Sequence, residues 1–127
     1  DELACEGDAD PYNRRPMRCD NVENNPTRAH FQKLAKLRAS HEALRVGAFR
    51  THLAEESGLY AYQRYTEGER LLCVLNTGRE DVTAQLPLPE PMRAQAAVRD
   101  LYGERTLPVW RGLVEVTLKP GEGMVLK

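Results

Sequence analysis

The architecture of this chain is indicated most clearly by the segment Leu59-Tyr-Ala-Tyr-Gln-Arg-Tyr-Thr-Glu-Gly-Glu-Arg-Leu-Leu-Cys-Val-Leu-Asn76. It contains two runs rich in residues that favour strands, Leu59–Tyr65 and Arg70–Asn76, on either side of a short polar turn with a glycine. The second run is apolar at every position from Leu71 to Leu75, which is typical of a central strand covered on both faces. We therefore predict a β-hairpin whose second strand lies inside a sheet.

Short strands are also predicted on both sides of the hairpin. Val82, Ala84 and Leu86 alternate with polar residues, as expected for a half-buried strand, and the prolines that follow end it. The predicted strands are Ala48–Leu53, Leu59–Tyr65, Arg70–Asn76, Val82–Leu86, Gln95–Leu101, Thr106–Trp110, Val114–Leu118 and Met124–Lys127. Strands about eight to twelve residues apart and joined by turns predict a mainly β chain folded as an antiparallel β-sandwich.

One amphipathic helix is predicted before the strands, over residues 25–46. The side chain of Asn25 can accept a hydrogen bond from a free helix N–H, and Pro26 suits the first helical position. Gly47 is a plausible C-terminal stop. Apolar residues recur at helical spacing on one face, at Phe31, Leu34, Leu37 and Leu44. This face needs a partner, because an apolar helix stripe is normally buried against another element.

The helix separates two different kinds of sequence. Residues 1–24 are polar, contain many turn-forming residues and have no periodicity, so they are predicted to be an irregular loop. Loops of this length are uncommon in compact domains unless they serve a function or belong to a larger assembly. We therefore divide the chain into a loop (1–24), a helix (25–46) and an antiparallel β domain (47–127).

Charge and hydropathy exclude two classes of partner. The formal net charge is −1 over 127 residues, so no strong field attracts nucleic acid or an anionic membrane. The longest apolar run, Leu71–Leu75, is far too short to span a bilayer. We expect neither nucleic acid nor a membrane as a partner.

The cysteines favour a reduced protein. Cys5, Cys19 and Cys73 are an odd number and lack metal-ligand spacing. Cys73 lies within the most apolar run and is expected to be buried and inert. Cys5 and Cys19 can form a disulfide only if the fold brings them together, which the sequence leaves open. Because reduced cysteines are typical of the cytoplasm, we expect a cytoplasmic location.

Metal ligands are the next candidates to consider. His30 and His41 lie near one face of the predicted helix, but no Glu or Cys completes a metal set. Asp8, Asp10 and Asn13 superficially suggest a calcium loop, but their spacing is wrong and the downstream bidentate Glu is missing. We predict no metal site and no cofactor.

Two pairs of residues are candidates for sugar contacts. Tyr60 and Tyr62 share one face of a strand, where they can stack on sugar rings or pack within the domain. Asp10 and Arg14 offer an acceptor and a bidentate donor across a proline-containing turn. That arrangement suits neighbouring sugar hydroxyls or an internal ion pair, and physical considerations alone favour the ion pair. The single tryptophan, Trp110, does not make a carbohydrate surface by itself.

Several segments together resemble a known family. Gly7-Asp-Ala-Asp10-Pro11-Tyr-Asn13-Arg14-Arg15-Pro16-Met17 resembles the end of the catalytic domain of α-amylase-family (family 13) glycoside hydrolases. The segments similar to the family's last barrel helix and C-terminal strands are Lys33–Gly47, Leu59-Tyr-Ala-Tyr-Gln-Arg64, Leu72-Cys-Val-Leu-Asn76 and Lys119-Pro-Gly-Glu-Gly-Met-Val-Leu126. The branch it resembles contains neopullulanase, cyclomaltodextrinase, maltogenic amylase and amylopullulanase.

The resemblance implies roles for the loop and the helix. Residues 1–24 would follow the last strand of a catalytic barrel and residues 25–46 would be its last helix. Asp10 and Arg14 would bind glucose hydroxyls in the intact parent enzyme. Cys19 stands where the family usually has tryptophan, and Asp8-Ala9 replaces a common Gly-Gly, so the sugar site is expected to differ in shape. The catalytic carboxylates of the family come from earlier barrel strands, so no catalytic residue is expected in this chain.

The resemblance therefore implies the C-terminal part of an α-glucan hydrolase. The parent would hydrolyse α-glucosidic bonds in maltodextrin, cyclodextrin or pullulan, while this part supports the barrel and is inactive alone. Its expected partners are the barrel of the same polypeptide, the α-glucan oligosaccharide in the parent, and a second copy of the chain through the apolar helix face. The alternative is an independent α-glucan-binding module in which Tyr60, Tyr62 and Trp110 contact the sugar rings.

Overall fold

The structure is a computed structural model that describes residues 3–14, 16 and 22–127. The chain forms two compact units, Asp1–Leu37 and Arg38–Lys127. The first unit contains the N-terminal loop and most of a long helix, and the second contains the strands. Cys19, and with it the predicted change at the usual tryptophan position, lies outside the described residues.

The predicted helix is present as two helices, α1 (Pro26–Ser40) and α2 (Glu42–Val46). Oδ1 of Asn25 accepts a hydrogen bond from the backbone N–H of Arg28 at 3.0 Å, so Asn25 caps α1 as predicted. At His41 the backbone becomes extended (φ −122°, ψ 117°), and this residue separates the two helices. The helical segment therefore has a break that its apolar spacing did not predict.

The break at His41 has a tertiary cause. Nδ1 of His41 lies 2.7 Å from Oε1 of Glu69, in the turn of the predicted hairpin. The backbone N–H of Ala43 donates to Oε2 of the same carboxylate at 3.1 Å. A carboxylate from a distant turn therefore accepts a hydrogen bond from a free N–H in the first turn of α2. A capping side chain normally has this role.

The apolar face of α1 remains accessible. Phe31 is 45% exposed and Leu34 is 39% exposed, while Leu37 is partly buried. All residues of α1 are described, and none of them is buried. The stripe that the sequence predicted to need a partner is therefore present and open to one.

Eight antiparallel strands follow the helices. They are β1 (Ala48–Ala54), β2 (Leu59–Tyr65), β3 (Arg70–Asn76), β4 (Val82–Pro87), β5 (Ala97–Asp100), β6 (Arg105–Trp110), β7 (Leu113–Leu118) and β8 (Gly123–Leu126). Both strands of the hairpin have their predicted bounds, and the others lie where alternation predicted them, with ends shifted by a residue or two. A 3₁₀ turn at Met92–Ala94 lies between β4 and β5.

The strands form one hydrogen-bonded sheet in the order β1-β2-β3-β8-β5-β6-β7-β4. Strand β8 lies between β3 and β5, and Leu126 pairs with Leu72 on one side and with Asp100 on the other. The sheet curls so that side chains from both of its halves enclose one core. The predicted mainly β fold with an antiparallel β-sandwich is therefore confirmed.

Alternate residues of the strands supply this core. In β2 and β3 the inward residues pair across the hairpin, as Ala61 does with Val74. The core consists of Leu59, Ala61, Leu72, Val74, Leu86, Leu88, Met92, Val98, Val114, Val116, Leu118, Met124 and Leu126. Cys73 is buried and has a free thiol, as predicted, but it faces away from this core. Burial of apolar area at about 25 cal/mol per Å² is the main favourable contribution to folding of this unit.

One buried amide connects the two halves of the sheet. Asn76, at the end of β3, is only 1% exposed. Its Nδ2 donates to the carbonyl oxygens of Glu80 at 2.8 Å and Leu118 at 3.0 Å, and its Oδ1 accepts the N–H of Gly78 at 2.9 Å. The Asn76 side chain therefore joins β3 to the end of β7 and fixes the turn that follows β3.

Candidate functional site

The predicted sugar contacts Asp10 and Arg14 form an ion pair. Nε of Arg14 lies 2.8 Å from Oδ1 of Asp10, and the side chains are 77% and 62% exposed, respectively. The turn between them is closed by the N–H of Tyr12, which donates to the carbonyl of Ala9 at 2.8 Å. Such an exposed pair contributes little to stability, but it leaves Arg14 with further N–H donors and Asp10 with a second oxygen for a ligand.

The predicted stacking residues Tyr60 and Tyr62 lie on the outer face of the sheet beside Phe49. The ring centroids of Phe49 and Tyr62 are 5.1 Å apart, and those of Tyr60 and Tyr62 are 5.8 Å apart. We call these three side chains the aromatic row. Phe49 is 56% exposed, whereas both tyrosines are partly buried. The sequence placed the tyrosines on one face correctly and missed Phe49, because Phe49 comes from the neighbouring strand.

Tyr62 packs over Cys73, its partner across the β2–β3 ladder. Burial, together with the neighbouring Cys73 thiol, raises the pKa of Tyr62 to about 12. Burial also raises the pKa of the Cys73 thiol. Both groups are therefore neutral at physiological pH, and Cys73 lacks the thiolate that a nucleophile requires.

Trp110 is separate from the aromatic row. It ends β6 and pairs with Leu113 of β7. Its side chain is 72% exposed, and the guanidinium carbon of Arg111 lies 5.7 Å from the ring centre. The structure therefore does not bring the predicted aromatic residues of the chain together on one surface.

Among the described carboxylates, Asp100 is the most deeply buried, at 1% exposed. Its Oδ2 lies 3.1 Å from Nε of Arg105, and its Oδ1 accepts the N–H groups of Tyr102 at 3.1 Å and Val125 at 3.3 Å. These contacts occupy both oxygens and connect the β5–β6 turn to β8. The chemistry of Asp100 is therefore that of a structural carboxylate.

Glu69 has three partners of its own. Oε1 lies 2.7 Å from Nδ1 of His41 and 2.6 Å from Nζ of Lys127, and Oε2 accepts the N–H of Ala43. Burial raises the pKa of Glu69, but the hydrogen bonds from Lys127, His41 and Ala43 outweigh it and lower the pKa to about 2. A glycosidase acid needs a raised pKa so that it holds a proton near neutral pH. Glu69 is shifted in the opposite direction.

The second unit contains a cleft with polar walls. It has a volume of about 440 Å³ and is lined by Arg50, Thr51, His52, Gln63, Arg70, Pro89 and Glu90. We call it the polar cleft. One of its lining residues, His52, lies at an irregularity in β1, where the pairing register shifts between Thr51 and Leu53. No residue pattern marks this shift, and the cleft was therefore not predicted.

A chain of hydrogen bonds crosses the wall of the polar cleft. Nη1 of Arg70 donates to Oε1 of Gln63 at 2.5 Å, and Nε2 of Gln63 lies 3.1 Å from Nδ1 of His52. Nε2 of His52 lies 2.6 Å from the carbonyl oxygen of Pro87. Because Arg70 can only donate and the carbonyl can only accept, Nδ1 of His52 accepts from the Gln63 amide and Nε2 of His52 donates to Pro87.

Within residues 3–14, 16 and 22–127, no group of three or more His, Cys, Asp or Glu side chains is arranged to hold a metal ion. Among the described helices, none has the length and apolar character needed to cross a membrane. The two acids that superficially suggest a calcium loop have partners within the chain. Asp10 pairs with Arg14, and Asp8 accepts the N–H of Ala9 at 2.7 Å.

Comparison with known proteins identifies the family. Residues 49–124 match the family model described as the maltogenic amylase C-terminal domain. The chain belongs to this family. This membership confirms the resemblance to the C-terminal part of α-amylase-family glycoside hydrolases. The matched residues include most of the strands.

Individual relatives extend the similarity to the loop and the helices. Neopullulanase 2 of Thermoactinomyces vulgaris is 33% identical over 99% of this chain, which corresponds to 22% of its own length. The crystal structure of an Anoxybacillus α-amylase has a TM-score of 0.82 at 25% identity and covers 98% of this chain and 26% of its own. An α-amylase from Geobacillus thermoleovorans, solved with acarbose, has a TM-score of 0.77 at 23% identity over 98% of this chain and 27% of its own. The chain thus spans about a fifth of the curated relative.

Proposed function

We propose that the chain is the non-catalytic C-terminal part of an α-glucan hydrolase and that it supports the catalytic barrel of the same polypeptide. The observation that carries this proposal is the match of 99% of the chain to only 22% of neopullulanase 2. In the proposal, the catalytic carboxylates belong to the part of the protein that this chain does not include. The two most buried described carboxylates, Asp100 and Glu69, are both occupied by structural partners, which agrees with a supporting role.

Two accessible apolar surfaces support a barrel partner. In the first unit, Phe31 and Leu34 form a stripe on α1 that stays exposed. In the second unit, Phe49 and Val46 are 56% and 72% exposed. Apolar surface of this kind usually marks a contact with another protein surface. The barrel is the occupant we propose for the stripe, with residues 25–46 as its last helix and residues 1–24 as the loop before it.

Asp10 and Arg14 are the proposed sugar contacts in the intact parent. Their ion pair holds a carboxylate and a guanidinium together in a turn, and both groups still have free hydrogen-bonding capacity. The α-amylase solved with acarbose supports oligosaccharide binding by proteins of this fold. The proposed substrates of the parent are maltodextrin, cyclodextrin or pullulan.

The test compares the purified chain with the same chain joined to its upstream polypeptide. We expect hydrolysis of maltodextrin, cyclodextrin or pullulan by the longer protein and none by the chain alone. In the longer protein, Arg14→Gln should raise KM more than it lowers kcat, whereas Arg79→Gln, an exposed control in the strand region, should change neither. Turnover by the 127-residue chain that disappears in one of its own variants would refute the proposal.

The aromatic row favours a second candidate, an independent α-glucan-binding module. Three neighbouring rings on one sheet face can stack on successive sugar rings. Titration with maltoheptaose decides this case: binding that Tyr62→Ala abolishes and that the exposed-residue control Trp110→Ala leaves intact supports the module. Lack of binding at millimolar ligand removes it.

Self-association and location complete the proposal. A homodimer through the apolar stripe of α1 would cover Phe31 and Leu34 when no barrel is present. Sedimentation of the chain and of Leu34→Glu would test this, since a concentration-dependent dimer should dissociate in the variant. The free thiols of Cys5 and Cys73 agree with a cytoplasmic location, which stays a prediction.

A further inference from the structure

The polar cleft has the dimensions of a small-molecule site. Its volume of about 440 Å³ falls in the range of about 300–1,000 Å³ that is usual for ligand pockets. Its walls come from β1, β2, the first residue of β3 and the connection after β4, all in the second unit. It borders the aromatic row, because Oγ1 of Thr51 in its wall lies 3.3 Å from the hydroxyl oxygen of Tyr60. Gln63, however, faces the core side of β2, whereas Tyr62 faces the outside.

Positive charge exceeds negative charge in this cleft. Arg50 and Arg70 line it together with one carboxylate, that of Glu90. Oε1 of Glu90 lies 3.3 Å from Nε of Arg93, so this carboxylate already has a cationic partner. Arg50 is exposed, and its side chain has no hydrogen bond or ion pair with any residue that the structure describes. The cleft therefore contains a guanidinium charge that is not paired with a carboxylate in the described part of the chain.

Arg70 is held in place before any ligand arrives. Its Nη1 donates to Oε1 of Gln63 at 2.5 Å, and its guanidinium carbon lies 4.7 Å from the centre of the Tyr65 ring. Gln63 is itself only 4% exposed and is fixed at its other end by His52. A side chain that is already ordered loses less conformational entropy on binding, so Arg70 is a preorganised contact.

The hydrogen-bond chain also determines what the wall can offer a ligand. Oε1 of Gln63 accepts from Arg70, and Nδ1 of His52 accepts from the amide of Gln63, so these two acceptors are already used. The guanidinium groups of Arg50 and Arg70 retain free N–H donors in a planar fork. A wall rich in donors suits a ligand rich in acceptors, and the guanidinium fork matches carboxylate and phosphate oxygens in particular.

We propose that the polar cleft binds the carboxylate or phosphate group of a small molecule, with Arg50 and Arg70 as the contacts and Gln63 as the residue that positions Arg70. This site is independent of the proposed role in glucan hydrolysis. A neutral sugar fits the cleft less well, because none of its lining residues is Phe, Tyr or Trp and the nearby Tyr65 ring lies under the Arg70 guanidinium.

The experiment titrates the full chain with inorganic phosphate and, separately, with succinate, at neutral pH and constant ionic strength. Chemical shifts of the arginine Nε–H groups and the Gln63 side-chain amide report binding. We expect saturation with a millimolar Kd for at least one of the two anions, and the anion that saturates identifies the acceptor group. Arg50→Gln and Arg70→Gln should each weaken binding about tenfold or more.

Two control variants make the test specific. Arg111→Gln removes the same charge at an exposed site beside Trp110 and should leave the Kd unchanged. Arg50→Lys keeps the charge but removes the fork, and we expect it to weaken binding several-fold. Thermal unfolding of each variant verifies that it is folded.

Three outcomes would overturn the proposal. The first is the absence of saturable chemical-shift changes with both anions. The second is an equal loss of affinity in Arg50→Gln and Arg111→Gln. The third is saturation by maltose while neither anion causes a chemical-shift change. Full affinity in Arg50→Lys would exclude the bidentate contact.

Discussion

Nδ1 of His41 lies 2.7 Å from the carboxylate of Glu69, and this contact joins the break between α1 and α2 to the turn of the β2–β3 hairpin. The same carboxylate binds Nζ of Lys127, which follows β8, at 2.6 Å. One side chain, which is 13% exposed, therefore connects three segments that are far apart in the sequence. Its low pKa reflects these contacts, because each of them favours the ionised form.

Loss of the Glu69 carboxylate should destabilise the fold. We expect Glu69→Gln to lower the free energy of unfolding at neutral pH by about 1–3 kcal/mol, since charge-assisted hydrogen bonds are lost while their donors stay partly buried. Glu67→Gln is the matched control in the same turn, where the side chain is exposed, and should change stability by less than about 0.5 kcal/mol. Urea unfolding followed by circular dichroism measures both. Equal effects of the two variants would contradict the role of Glu69.

The contribution of Glu69 should also depend on pH in a defined window. The pKa is about 2 in the folded chain and 4.5 ordinarily, so folding favours the ionised form. The stabilisation is therefore fully present above about pH 4.5 and is lost as the pH falls toward 2. The difference in unfolding free energy between the wild-type chain and Glu69→Gln should shrink across this window. A difference that stays constant there would show that the ionised carboxylate is not responsible.

Asn76 should be among the most sensitive polar positions. Asn76→Ala leaves the carbonyls of Glu80 and Leu118 and the N–H of Gly78 without their partner, next to a buried site. We expect a loss of about 3 kcal/mol in the free energy of unfolding. Thr117→Ala removes an exposed cross-strand hydroxyl contact with Thr83 and should cost less than about 1 kcal/mol. Chemical denaturation of the two variants compares them directly.

Tyr62 should ionise late in an alkaline titration. Its pKa is raised from 10.0 to about 12, first by burial and then by the neighbouring Cys73. Because the folded pKa lies above the ordinary one, the related stabilisation is present below about pH 10 and is lost as the pH rises toward 12. Ultraviolet difference spectra should contain one late phenolate transition that Tyr62→Phe removes and Tyr60→Phe retains. Its persistence in Tyr62→Phe would assign it to another tyrosine.

His52 should carry its hydrogen on Nε2. The hydrogen-bond chain from Arg70 through Gln63 to the Pro87 carbonyl allows only this tautomer. Nitrogen chemical shifts of the labelled imidazole at neutral pH distinguish the two ring positions. In Gln63→Leu the acceptor Nδ1 loses its donor, so we expect a mixture of tautomers. An Nδ1–H signal in the wild-type chain would rule out the hydrogen-bond chain and the positioning of Arg70 by Gln63.

The strands were predictable because alternation is a local property of the sequence. Leu59–Tyr65 and Arg70–Asn76 have their predicted bounds since aromatic and branched residues fit a pleated sheet regardless of what lies far away. The helix break was not predictable, because Glu69 lies 28 residues after His41 and only the folded hairpin brings it close. Helical spacing continues through the break, so the sequence reads as one helix.

The candidate sites likewise differ in whether local sequence or tertiary pairing brings their residues together. Asp10 and Arg14 are four residues apart in a turn, and their ion pair could be predicted from local geometry. The aromatic row could not be predicted in full without knowing the register of β1 on β2, because this register brings Phe49 next to Tyr62. Predicting the polar cleft would also have required knowledge of the register shift at His52, and no residue pattern marks such a shift.

The central position of β8 has a consequence for how the protein is made. Residues 123–126 are translated after every other strand, yet they occupy the gap between β3 and β5. Until they leave the ribosome, the nascent chain has an open edge on β3, whose residues are almost all buried in the finished sheet. An unprotected apolar edge of this kind invites pairing with other chains. We therefore expect chains that stop before residue 123 to aggregate or to be degraded, because β3 lacks its partner strand in them.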